Sequence, residues 1–136
     1  MSNKTIYTAL TIGAAIAVLL TILLVRKIKK DKSITDKIKI EDTNLSLEKS
    51  EYSILANQLF TSMNGVGTDF KSIERVLRKL KNNDDWNALI KAFGTREVKR
   101  WPYKFTGTLY DWFQDELTTK EINTLNTLIA PLGVSI

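Results

Sequence analysis

The chain of 136 residues contains no cysteine and no histidine. The first absence rules out disulfides and cysteine nucleophiles, and the two together remove Ser-His-Asp catalysis and the usual zinc sites. Any chemistry would then rest on carboxylates, hydroxyls, lysines or a hard cation. Internal repeats and low-complexity runs are also missing. So is a charge imbalance spread along the chain. The formal net charge is +5, but residues 26–40 hold seven basic and two acidic groups, which accounts for the whole excess. Residues 41–136 hold 12 basic and 13 acidic groups. A near-neutral body exerts no general pull on a polyanion, and nucleic acid is not an expected partner. The length allows one modest domain with appendages.

What is present begins with an apolar run. Ile6 to Val25, "IYTALTIGAAIAVLLTILLV", carries no charge over 20 residues. As a helix it would be about 30 Å long, the hydrocarbon thickness of a bilayer. Tyr7 sits near one edge, where its amphipathic ring suits the interface. The charged "RKIKK" follows directly, where a cleaved signal would show a shorter apolar core and a small-residue cleavage site. A retained single span is therefore expected. Lys4 precedes it, whereas Arg26, Lys27, Lys29, Lys30 and Lys32 follow it. The positive-inside rule then places the N-terminus outside and the C-terminal domain in the cytoplasm, or on the corresponding face of a virion membrane. The same five basic residues are candidate contacts for anionic lipid headgroups. The expected organisation is an anchor with a basic collar over 1–30, a linker over 31–49, and a helical domain over 50–136.

From Ser50 onward the apolar residues take helical spacing. Ile54, Leu55, Leu59, Phe60 and Met63 form one stripe that stops at Asn64-Gly65, and Phe70, Ile73, Val76, Leu77 and Leu80 form a second. A third runs through Trp86, Leu89, Ile90 and Phe93 to Gly94. The dozen residues "TREVKRWPYKFT" then read as irregular, since Pro102 is incompatible with a helix interior. A fourth helix carries Leu109, Trp112, Phe113 and Leu117. A fifth starts at "TTKE", where Thr118 and Glu121 form a capping box, and ends at Pro131 and Gly133. The alternating "KIKI" could form a short strand, with no partner nearby, and five short helices define the expected fold class: all-α, with an N-terminal transmembrane helix and an orthogonal five-helix domain.

The stretch "MNGVGTDF", residues 63–70, places two glycines two apart between the first two helices of this domain. It resembles the start of an annexin repeat, Met-basic-Gly-x-Gly-Thr-Asp-Glu, with Asn64 and Phe70 departing from that pattern. "SIERVLRKLKN", "DDWNALIKAFG", "GTLYDWFQDELT" and "KEINTLNTLI" follow in the order of the later helices of such a repeat. The resemblance covers residues 50 to about 130, as a single repeat. It implies a calcium and phospholipid site built from the backbone carbonyls of Met63, Gly65 and Gly67 with the carboxylate of Glu116. Glycines let a loop turn its carbonyls inward, and calcium takes six to eight oxygens. The same residues also suit a plain helix junction, with Asn-Gly ending one helix in a left-handed turn and Thr68 or Asp69 capping the next.

Two further surfaces attract attention. Lys99, Arg100, Trp101, Tyr103 and Lys104 interleave basic and aromatic side chains, a composition typical of protein contact sites. Asp111, Asp115 and Glu116 gather near the end of the fourth helix and could supply the carboxylate pair of a cell-wall-cutting enzyme. The expectation is a non-enzymatic membrane protein displaying a small binding or structural domain. Its partner would be a protein or a membrane surface, in a bacterial virus particle or a bacterial envelope. Calcium is the one candidate cofactor.

Overall fold

A computed structural model describes residues 37–100 and 102–136, without the side chain of Arg100. The domain contains five helices: α1 (Lys49–Met63), α2 (Phe70–Leu77), α3 (Asn83–Phe93), α4 (Leu109–Glu116) and α5 (Thr119–Ile129). Between α3 and α4 lie two strands, β1 (Arg96–Arg100) and β2 (Tyr103–Gly107).

Each helix begins where a side chain can satisfy the free amides of its first turn. Asp69 accepts from the Ser72 amide at 3.0 Å, and Asn82 accepts from the Asp85 amide at 2.8 Å. Reciprocal capping boxes pair Glu48 with Glu51, Thr108 with Asp111 and Thr118 with Glu121. Helical periodicity then puts Tyr52, Leu55, Ala56, Leu59 and Met63 of α1 on one buried stripe against α2 and α3. Trp86, Leu89 and Phe93 of α3, Trp112 and Phe113 of α4, and Leu125 and Ile129 of α5 complete the core. Ile54, one position from Leu55, falls off that stripe and is 55 % exposed.

The expected all-α fold class is corrected by the antiparallel hairpin. Arg96 pairs with Gly107, Val98 with Phe105 and Arg100 with Tyr103. Pro102 ends a helix in a sequence reading, but here it occupies the turn, where no ladder amide is lost. Val98 faces the core while Glu97 and Lys99 are exposed, the alternation expected of a half-buried strand. Gly107 closes the hairpin onto α4. A Cβ there would lie 2.5 Å from the Asp111 Cβ, so only glycine allows the approach.

Two expectations about the N-terminal part also change. The segment expected to be a spacer does not hang free: Ile38, Ile40, Leu45 and Leu47 pack against the core as a strap. The alternation in "KIKI" serves this packing, with both isoleucines turned inward and Lys37 and Lys39 exposed. Membrane placement is likewise corrected, because no helix among the described residues is long and apolar enough to cross a membrane. The apolar run 6–25 and the headgroup candidates Arg26, Lys27, Lys29, Lys30 and Lys32 lie outside the described residues.

Candidate functional site

The Gly-x-Gly turn is a tight helix junction. The Asn64 amide donates to the Phe60 carbonyl at 2.8 Å, ending α1, and the Asp69 amide returns to the Ser62 carbonyl at 2.9 Å. The left-handed residue is Gly67, at φ +81°, and not the Gly65 expected from the Asn-Gly pair. Gly65 is needed for space more than for conformation, since a Cβ there would sit 3.3 Å from the Gly67 carbonyl oxygen. Met63, whose carbonyl was a candidate ligand, has a fully buried side chain that anchors the start of the turn.

Folding brings Glu116 to this turn across 48 positions of sequence. The Thr68 hydroxyl donates to the Glu116 carboxylate at 3.0 Å and lies 3.4 Å from its carbonyl oxygen. Asp69 is occupied as the α2 cap. Among the described residues no group of three or more acidic side chains could hold a metal ion. Glu116 is the carboxylate that folding brings to the turn, and one carboxylate beside the backbone carbonyls of Met63, Gly65 and Gly67 makes a sparse donor set for a hard cation.

The hairpin holds the described part of the basic-aromatic set. Lys99 and Lys104 are directly opposed across the ladder, a like-charge pair that is unfavourable by itself. Glu97 relieves it, 3.1 Å from the Lys99 ammonium and 3.5 Å from that of Lys104. The Lys99 hydrogen bond and the charge of Lys104 hold the Glu97 carboxyl below its ordinary range. Tyr103 is 43 % exposed, yet its ring stacks on Phe105 at 6.4 Å and its hydroxyl donates to Asp115. Phe105 in turn meets Trp112 edge-on at 5.0 Å. Trp101 and the Arg100 side chain lie outside the described residues. The three carboxylates of the enzyme reading are drawn to different neighbours: Asp111 to Thr108, Asp115 to Tyr103, Glu116 to Thr68.

Two residues not singled out from the sequence organise the domain. Arg96 places its guanidinium over the rings of Phe60 and Phe93, at 5.1 and 4.9 Å, and donates from Nε to the Phe93 carbonyl. Burial pulls its pKa down from the usual arginine range. Asp85 is fully buried and accepts four hydrogen bonds: Ser46 amide 2.8 Å, Ser46 hydroxyl 2.5 Å, Tyr52 hydroxyl 2.5 Å and Lys81 amide 2.7 Å. Desolvation works to raise its pKa, but the bonds from Ser46, Tyr52 and Lys81 prevail and hold it below the ordinary carboxylate value. Burial, reinforced by the Asp85 carboxylate, pushes the Tyr52 phenol up to about 12. Asp85 therefore fastens the strap, α1 and the α2–α3 turn together. In sequence it is one of two aspartates in an ordinary helix-start pattern, "NNDDW", and nothing local separates it from Asp84.

No protein-family model, curated protein or solved structure matches the chain. The annexin resemblance therefore rests on its sequence motif alone.

Proposed function

We propose that residues 37–136 form a non-catalytic binding module that contacts an acidic protein surface through the β1–β2 hairpin. One observation carries this reading: next to the hairpin turn a half-exposed tyrosine, held in place by Phe105 and Asp115, stands on one face of the ladder, and Lys99 and Lys104 are paired on the other. Aromatic rings supply most of the energy at protein interfaces, and a ring already held in one rotamer loses little entropy on binding. The lysines add complementarity toward an acidic partner and speed encounter. A binding role, and not catalysis, is also supported by the separate hydrogen-bond partners of Asp111, Asp115 and Glu116. The test is cross-linked capture with the full chain, compared with a Lys99→Glu, Lys104→Glu, Tyr103→Ala variant of matched melting temperature. Loss of the same captured partner is expected. Capture unchanged in that variant refutes the hairpin as the contact.

A second reading is favoured by the contact between Thr68 and Glu116. Calcium would bind the Gly-x-Gly turn through loop carbonyls and Glu116, leaving coordination positions for water or a lipid phosphate. Calorimetry with calcium alone, then with anionic vesicles, should show weak binding that tightens in the second case and disappears in Glu116→Gln. Binding that survives this substitution, or that ignores calcium, leaves the turn as a helix junction only.

A further inference from the structure

A surface not used by either reading lies between α1 and α2. Two clefts, of ≈ 440 and ≈ 280 Å³, adjoin there and share Gln58 and Ser72 as lining residues. Asn57, Gln58 and Thr61 fall on one face of α1, and Ser72 and Arg75 lie on the facing side of α2, with the cap Asp69 before the helix and Lys79 in the turn after it. The groove thus has an order. Asp69, which caps α2 through one carboxylate oxygen and keeps the other, stands at one end, amides and hydroxyls line the middle beside the exposed Ile54, and Arg75 and Lys79 close the other end.

The cations at that end are available. Arg78 pairs with Glu74 at 3.8 Å, but Lys79 and the terminal nitrogens of Arg75 have no acidic partner among the described residues. The side-chain amides of Asn57 and Gln58 are also without hydrogen-bond partners among the described residues, and such amides can both donate to and accept from a peptide backbone. α2 itself runs about 12 Å, with Asp69 just before it and Lys79 in the turn just after it, a span that matches roughly four to five residues of extended chain. A polyanion laid along it would meet Asp69. A ligand with one anionic end, an amide-rich middle and a neutral or cationic other end would not.

We infer that this groove is a second docking site, independent of the hairpin, for a short extended polypeptide segment that places an acidic side chain between Arg75 and Lys79. Charge complementarity at the two ends sets the orientation of the segment. The amides read its backbone, and Ile54 covers one apolar side chain.

The experiment is a fluorescence-anisotropy titration of the full chain with a labelled, end-capped pentapeptide. The probe carries lysine at its N-terminal end, a neutral middle and glutamate at its C-terminal end. A pentaglutamate and a single-stranded RNA serve as polyanion comparators. Saturable binding of the lysine-to-glutamate peptide is expected, weakened tenfold or more in Arg75→Ala, Lys79→Ala and severalfold in Asn57→Ala. These residues are exposed, so the variants should keep the wild-type melting temperature. The hairpin variant Lys99→Glu, Lys104→Glu should bind the peptide as wild type does, which separates this site from the hairpin reading. Absence of saturable binding overturns the inference. So does equal or tighter binding of pentaglutamate or RNA, or insensitivity to the Arg75, Lys79 double change.

Discussion

Replacing Asp85 by asparagine should destabilise the domain more than any conservative change at its surface. The carboxylate accepts four hydrogen bonds, whereas the amide that replaces it has one oxygen and turns an NH₂ toward the remaining donors. Whichever oxygen is replaced, one backbone amide, that of Ser46 or of Lys81, loses its acceptor, while the hydroxyl that shared that oxygen has to reverse and accept from the new NH₂. A buried donor left unpaired costs about 1–3 kcal/mol, and the remaining bonds weaken when a charged acceptor becomes a neutral one, which together give about 2–4 kcal/mol. For a domain of this size 1 kcal/mol corresponds to roughly 4–8 °C in melting temperature, so a fall of at least about 8 °C is expected. The pH dependence supplies a second signature. Because the folded pKa of Asp85 lies below its unfolded value, its contribution is complete above about pH 4 and is lost as pH falls through the folded pKa. The Tyr52 phenol has the opposite sign. Its raised pKa gives stability that is present below about pH 10 and lost as pH rises toward about 12. Thermal melts of the full chain followed by circular dichroism, from pH 3 to 11, should show both limbs in the wild type and a weaker acid limb in Asp85→Asn. Asp84→Asn, at a half-buried position that also contacts the strap, should change the melting temperature far less. A variant within about 2 °C of wild type with the same acid limb would refute the fastening role of Asp85.

Further consequences follow for the turns. Gly67→Ala should cost about 1–2 kcal/mol, because φ +81° is a left-handed conformation that a Cβ disfavours. Gly65→Ala should cost less, needing only a small shift of the Gly67 carbonyl; urea unfolding that ranks the two the other way contradicts the assignment. Gly107→Ala has no such relief against the Asp111 Cβ and should cost about 1–3 kcal/mol as overpacking, with loss of hydrogen-exchange protection in β1 and β2. Full protection of both strands in that variant would mean that the hairpin does not depend on this close approach.

The helical segments were legible because their signals are local. A 3.6-residue apolar period, a Thr118–Glu121 box and glycines at 94 and 133 mark starts and stops within a few positions. The hairpin was not, since its inward positions mix Arg96, Val98 and Phe105, so the apolar alternation of a strand is broken by a cation. That cation is stabilised by the rings of Phe60 and Phe93, and Phe60 is 36 positions away in sequence. The strap presents the same difficulty. Its isolated isoleucines and leucines resemble a linker until Asp85 and the surface of α1 and α3 are available to receive them.

For the candidate sites the same division holds. The composition alone excluded thiol, imidazole and disulfide chemistry, and the spacing alone located the turn between the first two helices. Placing Glu116 beside Thr68, opposing Lys99 and Lys104 around Glu97, and aligning Arg75 and Lys79 with Asn57 all required helices to pack or strands to pair. Local sequence determines which residues share a face of one element, through backbone periodicity. Only tertiary packing decides which faces meet, because that choice minimises exposed apolar area over the whole domain and is encoded at no single position.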